Sequence, residues 1–162
     1  MPGRRATSPE RDNAGQRATY IVLRYLTVGR SRNPDYQTLA EFRYQIRRFL
    51  AFSERAARAH GLDAQQHQLL LALKGLPAGT APTIGALADR LHIRHHSAVG
   101  LIDRLDQKGL VVRETDAADR RRVLVRISAH GEAVLHKLTH LHQEELSSAG
   151  PLLLETLRTL LN

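Results

Sequence analysis

The sequence contains no cysteine and no tryptophan, and its single methionine is the first residue. Without cysteine the chain can form no disulfide, no thiolate metal site, no thiol nucleophile and no thiol redox switch. No run approaches the roughly 20 apolar residues of a membrane span. The basic opening MPGRRATSPERDNAGQ has no apolar region directly behind it, so it does not read as a secretory signal. A cytoplasmic protein with no membrane partner is expected. No nucleophile–base set, Gly-rich phosphate loop or paired-carboxylate constellation is visible, which argues against an enzyme and leaves no cofactor implied. Aromatics are scarce: four tyrosines and three phenylalanines, all before residue 53.

What the chain has is positive charge. Lysine and arginine number 24 against 16 acids, a formal charge of +8. Such an excess points to an anionic partner, most often nucleic acid. Residues 1–32 carry seven arginines and two acids, and residues 83–127 carry nine basic residues and six acids. The basic middle contains no aromatic side chain. Single-stranded nucleic acid is held by stacking platforms, so double-stranded DNA is the better match.

Residues 1–18 are rich in Arg, Gly, Pro and Ser without periodicity, which reads as disorder. Residues 19–28, TYIVLRYLTV, are apolar and β-prone. Residues 1–33 are expected to be a flexible basic extension, and 34–162 a single domain. From Tyr36 to about Ala59, Leu39, Phe42, Ile46, Phe49 or Leu50, Ser53, Ala56 and Ala57 recur at helical spacing. Asp63 and Gln66 form a capping-box pattern opening a second helix through Lys74. Thr83 suits the N-cap of a third helix, with Ile84, Leu87, Ala88 and Leu91 inward. A fourth helix carries Ala98, Leu101, Ile102 and Leu105 inward and stops at Gly109. LVVRE and RVLVRI then read as a hairpin. Ser128 caps a long helix with a stripe of Val134, Leu135, Leu138, Leu141 and Leu146. Gly150-Pro151 is expected to stop it and restart a last helix, LLLETLRTLL, apolar nearly all round. The fold class is therefore mainly α with a small β-hairpin. The short helix, the tight HIRHH connection and the helix ending at Lys108 form a helix-turn-helix, and the hairpin adds a wing.

Residues 83–131 resemble the multiple antibiotic resistance regulator (MarR) family of bacterial transcription factors. The resemblance is carried by IGALADRL (84–91), AVGLIDRLDQKGLVVRE (98–114) and DAADRRRVLVRISAHG (116–131). Within them stand Asp103-Arg104-Leu105, Gly109-Leu110-Val111, Asp116, Asp119, Arg121 and Gly131. Ile127-Ser128 stands where the family has Leu-Thr and keeps the capping hydroxyl. The resemblance implies a homodimer that binds a pseudopalindromic operator, usually to repress. Residues 83–127 would be the DNA-binding lobe, with 34–75 and 128–162 as the dimerisation lobe. Many members release DNA when a small aromatic or phenolic anion binds between the lobes.

In the family a wing-tip arginine enters the minor groove, and the acid two residues before it holds the guanidinium. This implies that role for Arg121, oriented by Asp119, with Arg120 and Arg122 on phosphates. Arg94, His95, His96, Ser97, Val99 and Gly100 fall at the start or outer face of the recognition helix, where phosphates and base edges are met. Arg104, with Asp103, suits ion pairs or the DNA backbone better than base reading. Arg43, Tyr44 and Arg47 on the first helix, with His67 on the second, are where the family binds effectors; an arginine and a tyrosine hydroxyl would suit an aromatic anion. Of the histidines His92, His95, His96, His136, His140 and His142, the adjacent His95 and His96 diverge by about 100°; His136 and His140 could share a face, but no acid sits at an obvious third position, and no metal is expected. The alternative to a ligand-responsive regulator is an architectural DNA-binding protein without effector control.

Overall fold

The computed structural model describes residues 35–117 and 119–161. The expectations for residues 1–33, including the apolar stretch 19–28, lie outside the described residues. Five helices and one antiparallel hairpin follow in order: α1 (Tyr36–Ala59), α2 (Ala64–Lys74), α3 (Ile84–Leu91), α4 (His95–Gln107), β1 (Val111–Thr115), β2 (Val123–Ile127) and α5 (Ala129–Leu161).

Three helices end by the same device. After α1, Gly61 takes φ +76°, its N–H bonds the Arg58 carbonyl, and the Leu62 N–H reaches back to Ala57 O at 3.0 Å. Gly109 repeats this after α4 at φ +66°, with Leu110 N–H on Leu105 O at 2.9 Å. After α3 the left-handed position is filled by His92, φ 52°, with Ile93 N–H on Ala88 O at 3.0 Å. In each case the left-handed residue satisfies orphan carbonyls and turns the next residue inward. Leu62 and Leu110 are buried, and Ile93 packs against the core. The turns are thus folded by the same apolar burial that holds the helices together.

Helix starts are equally explicit. The Asp63 carboxylate accepts from Gln66 N–H at 2.8 Å and the Gln66 side chain accepts from Asp63 N–H at 3.1 Å, a complete capping box. Thr83 Oγ1 accepts from Ala86 N–H at 3.2 Å. The core gathers Leu69, Leu70, Leu87, Leu101, Ile102, Leu105, Val111, Val125 and Leu138, all essentially inaccessible. The expected inward residues of α4 are all buried. The hairpin register pairs Val111 with Ile127 and Thr115 with Val123. β2 is also pinned to the loop before α3, where Val125 N–H bonds Pro82 O at 2.9 Å.

Two expectations change. The C-terminal segment is one helix, not two, because α5 runs through Pro151 to Leu161. Proline removes one i→i−4 bond but fixes a helical φ, and α5 packs along α1 more extensively than any other two helices pack together. On α1 and α5, Leu39 and Leu146 were expected inward but are exposed, at 47 and 42%. Of the alternatives Phe49 and Leu50, Phe49 takes the inward place, half-buried against His142, and Leu50 is exposed.

The hairpin and α5 meet at one crowded point. Ser128 Oγ donates to Gly109 O at 2.6 Å and accepts from Gly131 N–H at 2.9 Å. A Cβ on Gly131 would lie 2.0 Å from the Leu110 carbonyl oxygen, so only glycine fits. Gly131→Ala should therefore lower the unfolding free energy by at least about 2 kcal/mol, the scale of an overpacked core site. Urea denaturation of the two proteins at pH 7 measures it. Equal midpoints would mean that α5 can move off the hairpin without cost.

Candidate nucleic-acid interface

α4 lies on the core through Ala98, Leu101, Ile102 and Leu105, which leaves its opposite side facing outward. Arg94, His95, His96, Ser97 and Arg104 are exposed, and Val99 and Gly100 are half-buried. A Cβ at Gly100 would meet only the Arg104 guanidinium, at 3.7 Å. The sequence-predicted residues of the recognition helix thus share its outer side. α2, α3 and α5 each begin with a capping side chain, whereas α4 begins at Arg94, which supplies none. Ser97 N–H turns back to Arg94 O at 3.0 Å, and no side chain caps the amides of His95 and His96 before it, where an external acceptor such as a phosphate oxygen could bind.

The wing turn is built by its acids. Asp116 N–H bonds Arg122 O at 3.0 Å, and Arg122 N–H bonds Asp119 O at 2.9 Å. The Asp119 carboxylate accepts from the backbone N–H of Arg121 at 3.0 Å. The sequence suggested that Asp119 would hold the Arg121 guanidinium; here its carboxylate shapes the backbone instead, because a side chain two residues back reaches the amide first, as in an Asx turn. Arg122 differs too, since its guanidinium lies 3.6 Å from the Asp116 carboxylate. Arg120, Arg121 and Arg122 are all exposed. Arg121 and Arg122 line a cleft of about 260 Å³ together with His95, Thr83, Ile84, Gly85 and Val123. The start of α4, the start of α3 and the wing turn just before β2 therefore adjoin one another.

The other predicted group does not assemble within the chain. Arg43, Tyr44 and Arg47 sit on the exposed side of α1, whereas His67 is only 2% exposed. His67 stacks at 4.8 Å on His142, and its Nδ1 has no partner. His142 Nδ1 lies 2.6 Å from Leu138 O, so it carries the proton there, and Nε2 accepts from the Ser53 hydroxyl at 2.7 Å. Phe49 and Phe52 meet the His142 ring edge-on. Tyr44 is about two and a half turns from Ser53, which puts it on the opposite face of α1. Among the described residues no three His, Asp or Glu side chains are arranged to hold a metal ion, and no helix is long and apolar enough to cross a membrane.

Residues 60–122 match the family model described as "MarR family". This winged-helix region belongs to the MarR family. Curated relatives include a transcriptional activatory protein, BadR, of Rhodopseudomonas palustris, 35% identical over 80 residues that make up 49% of this chain and 46% of BadR. A second is the HTH-type transcriptional regulator YsmB of Bacillus subtilis, 34% identical over 64 residues, 40% of this chain and 44% of YsmB. The chain thus spans less than half the length of either relative. Among solved structures, a Staphylococcus aureus MepR mutant bound to an oligodeoxyribonucleotide aligns with a TM-score of 0.59 at 20% identity, over 72% of this chain and 82% of that one. BpsR of Bordetella bronchiseptica, a protein whose DNA binding is regulated by 6-hydroxynicotinic acid, aligns with a TM-score of 0.56 at 22% identity, over 78% of this chain and 99% of that one. These structural likenesses show the MarR winged-helix fold.

The MarR match runs from the turn after α1 to the wing arginines. It leaves out α1 and His142, so that only His67 of the buried histidine pair lies within it. That pair escaped sequence reasoning because Ser53, His67 and His142 are far apart in the chain. Arg113 was missed as well. It bonds the Val99 carbonyl at 3.5 Å and the Asp103 carboxylate. The available signal was a lone arginine on the otherwise apolar face of a strand.

The buried histidine makes a pH prediction. Burial, and second the neighbouring His142, push the His67 pKa down from 6.5 to about 4. The folded state therefore binds the proton less readily than the unfolded chain. The stability linked to His67 is complete above about pH 6.5 and is lost as pH falls toward 4. Unfolding free energy should drop by about 2 kcal/mol between pH 7 and pH 5 from this group, and that part should vanish in His67→Gln. Denaturant titrations of both proteins at the two pH values provide the check. Parallel losses in both would assign the acid sensitivity elsewhere.

Proposed function

We propose that this protein is a homodimeric transcription regulator of the MarR type that binds a pseudopalindromic operator in double-stranded DNA. The observation that carries the reading is the adjoining of an uncapped helix start at Arg94 and an arginine-rich wing across one cleft. The first turns of α4 would enter the major groove with Arg94, His95, His96, Ser97, Val99 and Gly100. Arg121 would enter the flanking minor groove, with Arg104, Arg120 and Arg122 on phosphates. Asp119 contributes by fixing the backbone on which Arg121 stands.

The dimer reading is supported by where apolar surface remains. Among the described residues, eight of the eleven exposed large apolar side chains (Tyr36, Leu39, Tyr44, Leu50, Leu146, Leu152, Leu154 and Leu161) lie on α1 or α5, exposed between 42 and 75%; Leu71, Val112 and Val123 lie elsewhere. A second copy would bury those on α1 and α5 and set two recognition helices about one DNA turn, roughly 34 Å, apart. Such a regulator would act in the cytoplasm. We further propose repression relieved by a small aromatic or phenolic anion. Arg43, Tyr44 and Arg47 on exposed α1 supply the charge and hydroxyl for it, and BpsR is a ligand-controlled relative in fold. His67 is neutral at pH 7 and would contribute no charge. Activation, as in the name of BadR, is the opposite outcome for a reporter assay.

The test is selection of genomic fragments by the purified full chain, followed by footprinting. A discrete, symmetric protected site is expected; broad coating of any duplex would favour an architectural role instead. On the selected site Arg121→Ala should cost about 1–3 kcal/mol of binding, a loss of roughly 5- to 150-fold, with little change in melting temperature. Unchanged affinity at near-physiological salt would remove Arg121 from the interface. Leu154→Glu should leave the monomer folded but shift sedimentation from dimer to monomer and weaken operator binding with it. A dimer that persists in this variant would place the interface elsewhere.

A further inference from the structure

Arg113 stands where a hairpin should be apolar. Its neighbours on the same face of the ribbon, Val111 and its cross-strand partner Val125, are fully buried. Its side chain is 29% exposed, and its Nε is buried with no partner. An aliphatic residue would fill this place without leaving a buried donor unpaired, which costs about 1–3 kcal/mol. The arginine must therefore earn its position by what its other end reaches. Its Nη2 contacts the Asp103 carboxylate and lies 3.5 Å from the Val99 carbonyl. Val99 and Asp103 are one turn apart on α4, so a single guanidinium spans a turn of the recognition helix from the wing strand.

We propose that Arg113 is a positioning residue that clamps the wing to the recognition helix, so that both present to one ligand surface at a fixed separation. The hairpin is also held by its buried Val111 and Val125, midway along β2 by the Val125–Pro82 bond and the Thr83–Leu124 bridge, and at its base by the Ser128 junction, while its tip carries exposed arginines; Arg113 adds a direct tie from β1 to α4. The planar, rigid end group of arginine matters. Both contacts come from one terminal nitrogen, Nη2, at the far end of the guanidinium; lysine keeps the charge but ends in a compact ammonium on a flexible stem that is less firmly held in place. The clamp also neutralises Asp103, a carboxylate 48% exposed on the helix that carries the candidate base-contacting residues.

The consequence for DNA rests on the regulator reading, but the clamp itself can be measured without DNA. The chain contains no cysteine, so Ala117→Cys in the wing and Asp106→Cys on α4 give the only two spin-label sites. In the free protein, Arg113→Gln should broaden the distance distribution between these labels while helical circular dichroism stays unchanged, and Arg113→Lys should fall between it and the parent. On the selected duplex, Arg113→Gln without labels should lose about 10-fold in affinity. In that background the penalty of Arg121→Ala should shrink to less than about 3-fold, because a loose wing no longer delivers its arginine. A residue needed only for folding would leave the Arg121 penalty intact. An unbroadened distribution, or an undiminished Arg121 penalty, overturns the proposal. Should Arg113→Gln not fold, the lysine variant carries both measurements. Broadening in a protein that binds no duplex would uphold the clamp and overturn the regulator reading.

Discussion

The backbone of α5 passes so close to the Leu110 carbonyl that a single methyl group at Gly131 would collide with it. Around that contact the ends of three elements are tied. Ser128 bonds the Gly109 carbonyl through its hydroxyl and the Leu110 carbonyl through its N–H, at 2.6 and 3.1 Å. The left-handed turn that ends α4, the entry to β1 and the start of α5 are thus one hydrogen-bonded knot. If α5 were displaced by the width of a side chain, Leu110 could not stay buried and the α4 turn would lose its anchor. The direction of the recognition helix and the direction of the longest helix are set together. Any signal that moved α5 would be passed to the hairpin through this knot, since a packed contact of this kind has no slack to absorb it.

Much of this was legible in the sequence because local chemistry carried it. Asp63 with Gln66, Thr83, Ser128, Gly61 and Gly109 mark helix ends by rules that need no tertiary knowledge, and the structure places a boundary at each. The α4 stripe is legible for the same reason: its apolar period is undisturbed by competing demands. His92 shows the limit. Nothing in its side chain announces a left-handed residue, and it adopts φ 52° because Ile93 must turn inward. The continuity of α5 is a similar case. Gly150-Pro151 is a local signal to stop, but it is overridden by packing along α1 that the local sequence does not display.

The site divides along the same line. The outer residues of α4 and the wing arginines follow from pattern, since exposure is what remains when the apolar face is assigned. How they are held does not follow. Asp119 binds an amide rather than a guanidinium, Arg122 leans on Asp116, and Arg113 reaches across to Asp103. Each choice is made between partners a few ångströms apart in space, which spacing along the chain cannot rank. His67 and His142 pair across three helices for the same reason, and separate from the arginines of α1 that pattern alone had grouped with His67.

These partnerships change how the charge of the basic middle is distributed. Residues 83–127 hold nine cations and six acids, so their net charge alone is modest. Four of those acids are engaged inside the winged unit: Asp103 with Arg113, Glu114 with Arg126, Asp116 with Arg122, and Asp119 with the Arg121 amide. Two of the pairs use cations on the strands, Arg113 and Arg126, and a third uses Arg122 in the turn just before β2. Arg94, Arg104, Arg120 and Arg121 are left exposed at the start of α4, on its outer side and at the wing tip. A field is strongest where like charges face solvent without a compensating carboxylate nearby. The winged unit spends its acids on its own architecture, and by doing so concentrates the positive potential on the two elements that would reach a duplex first.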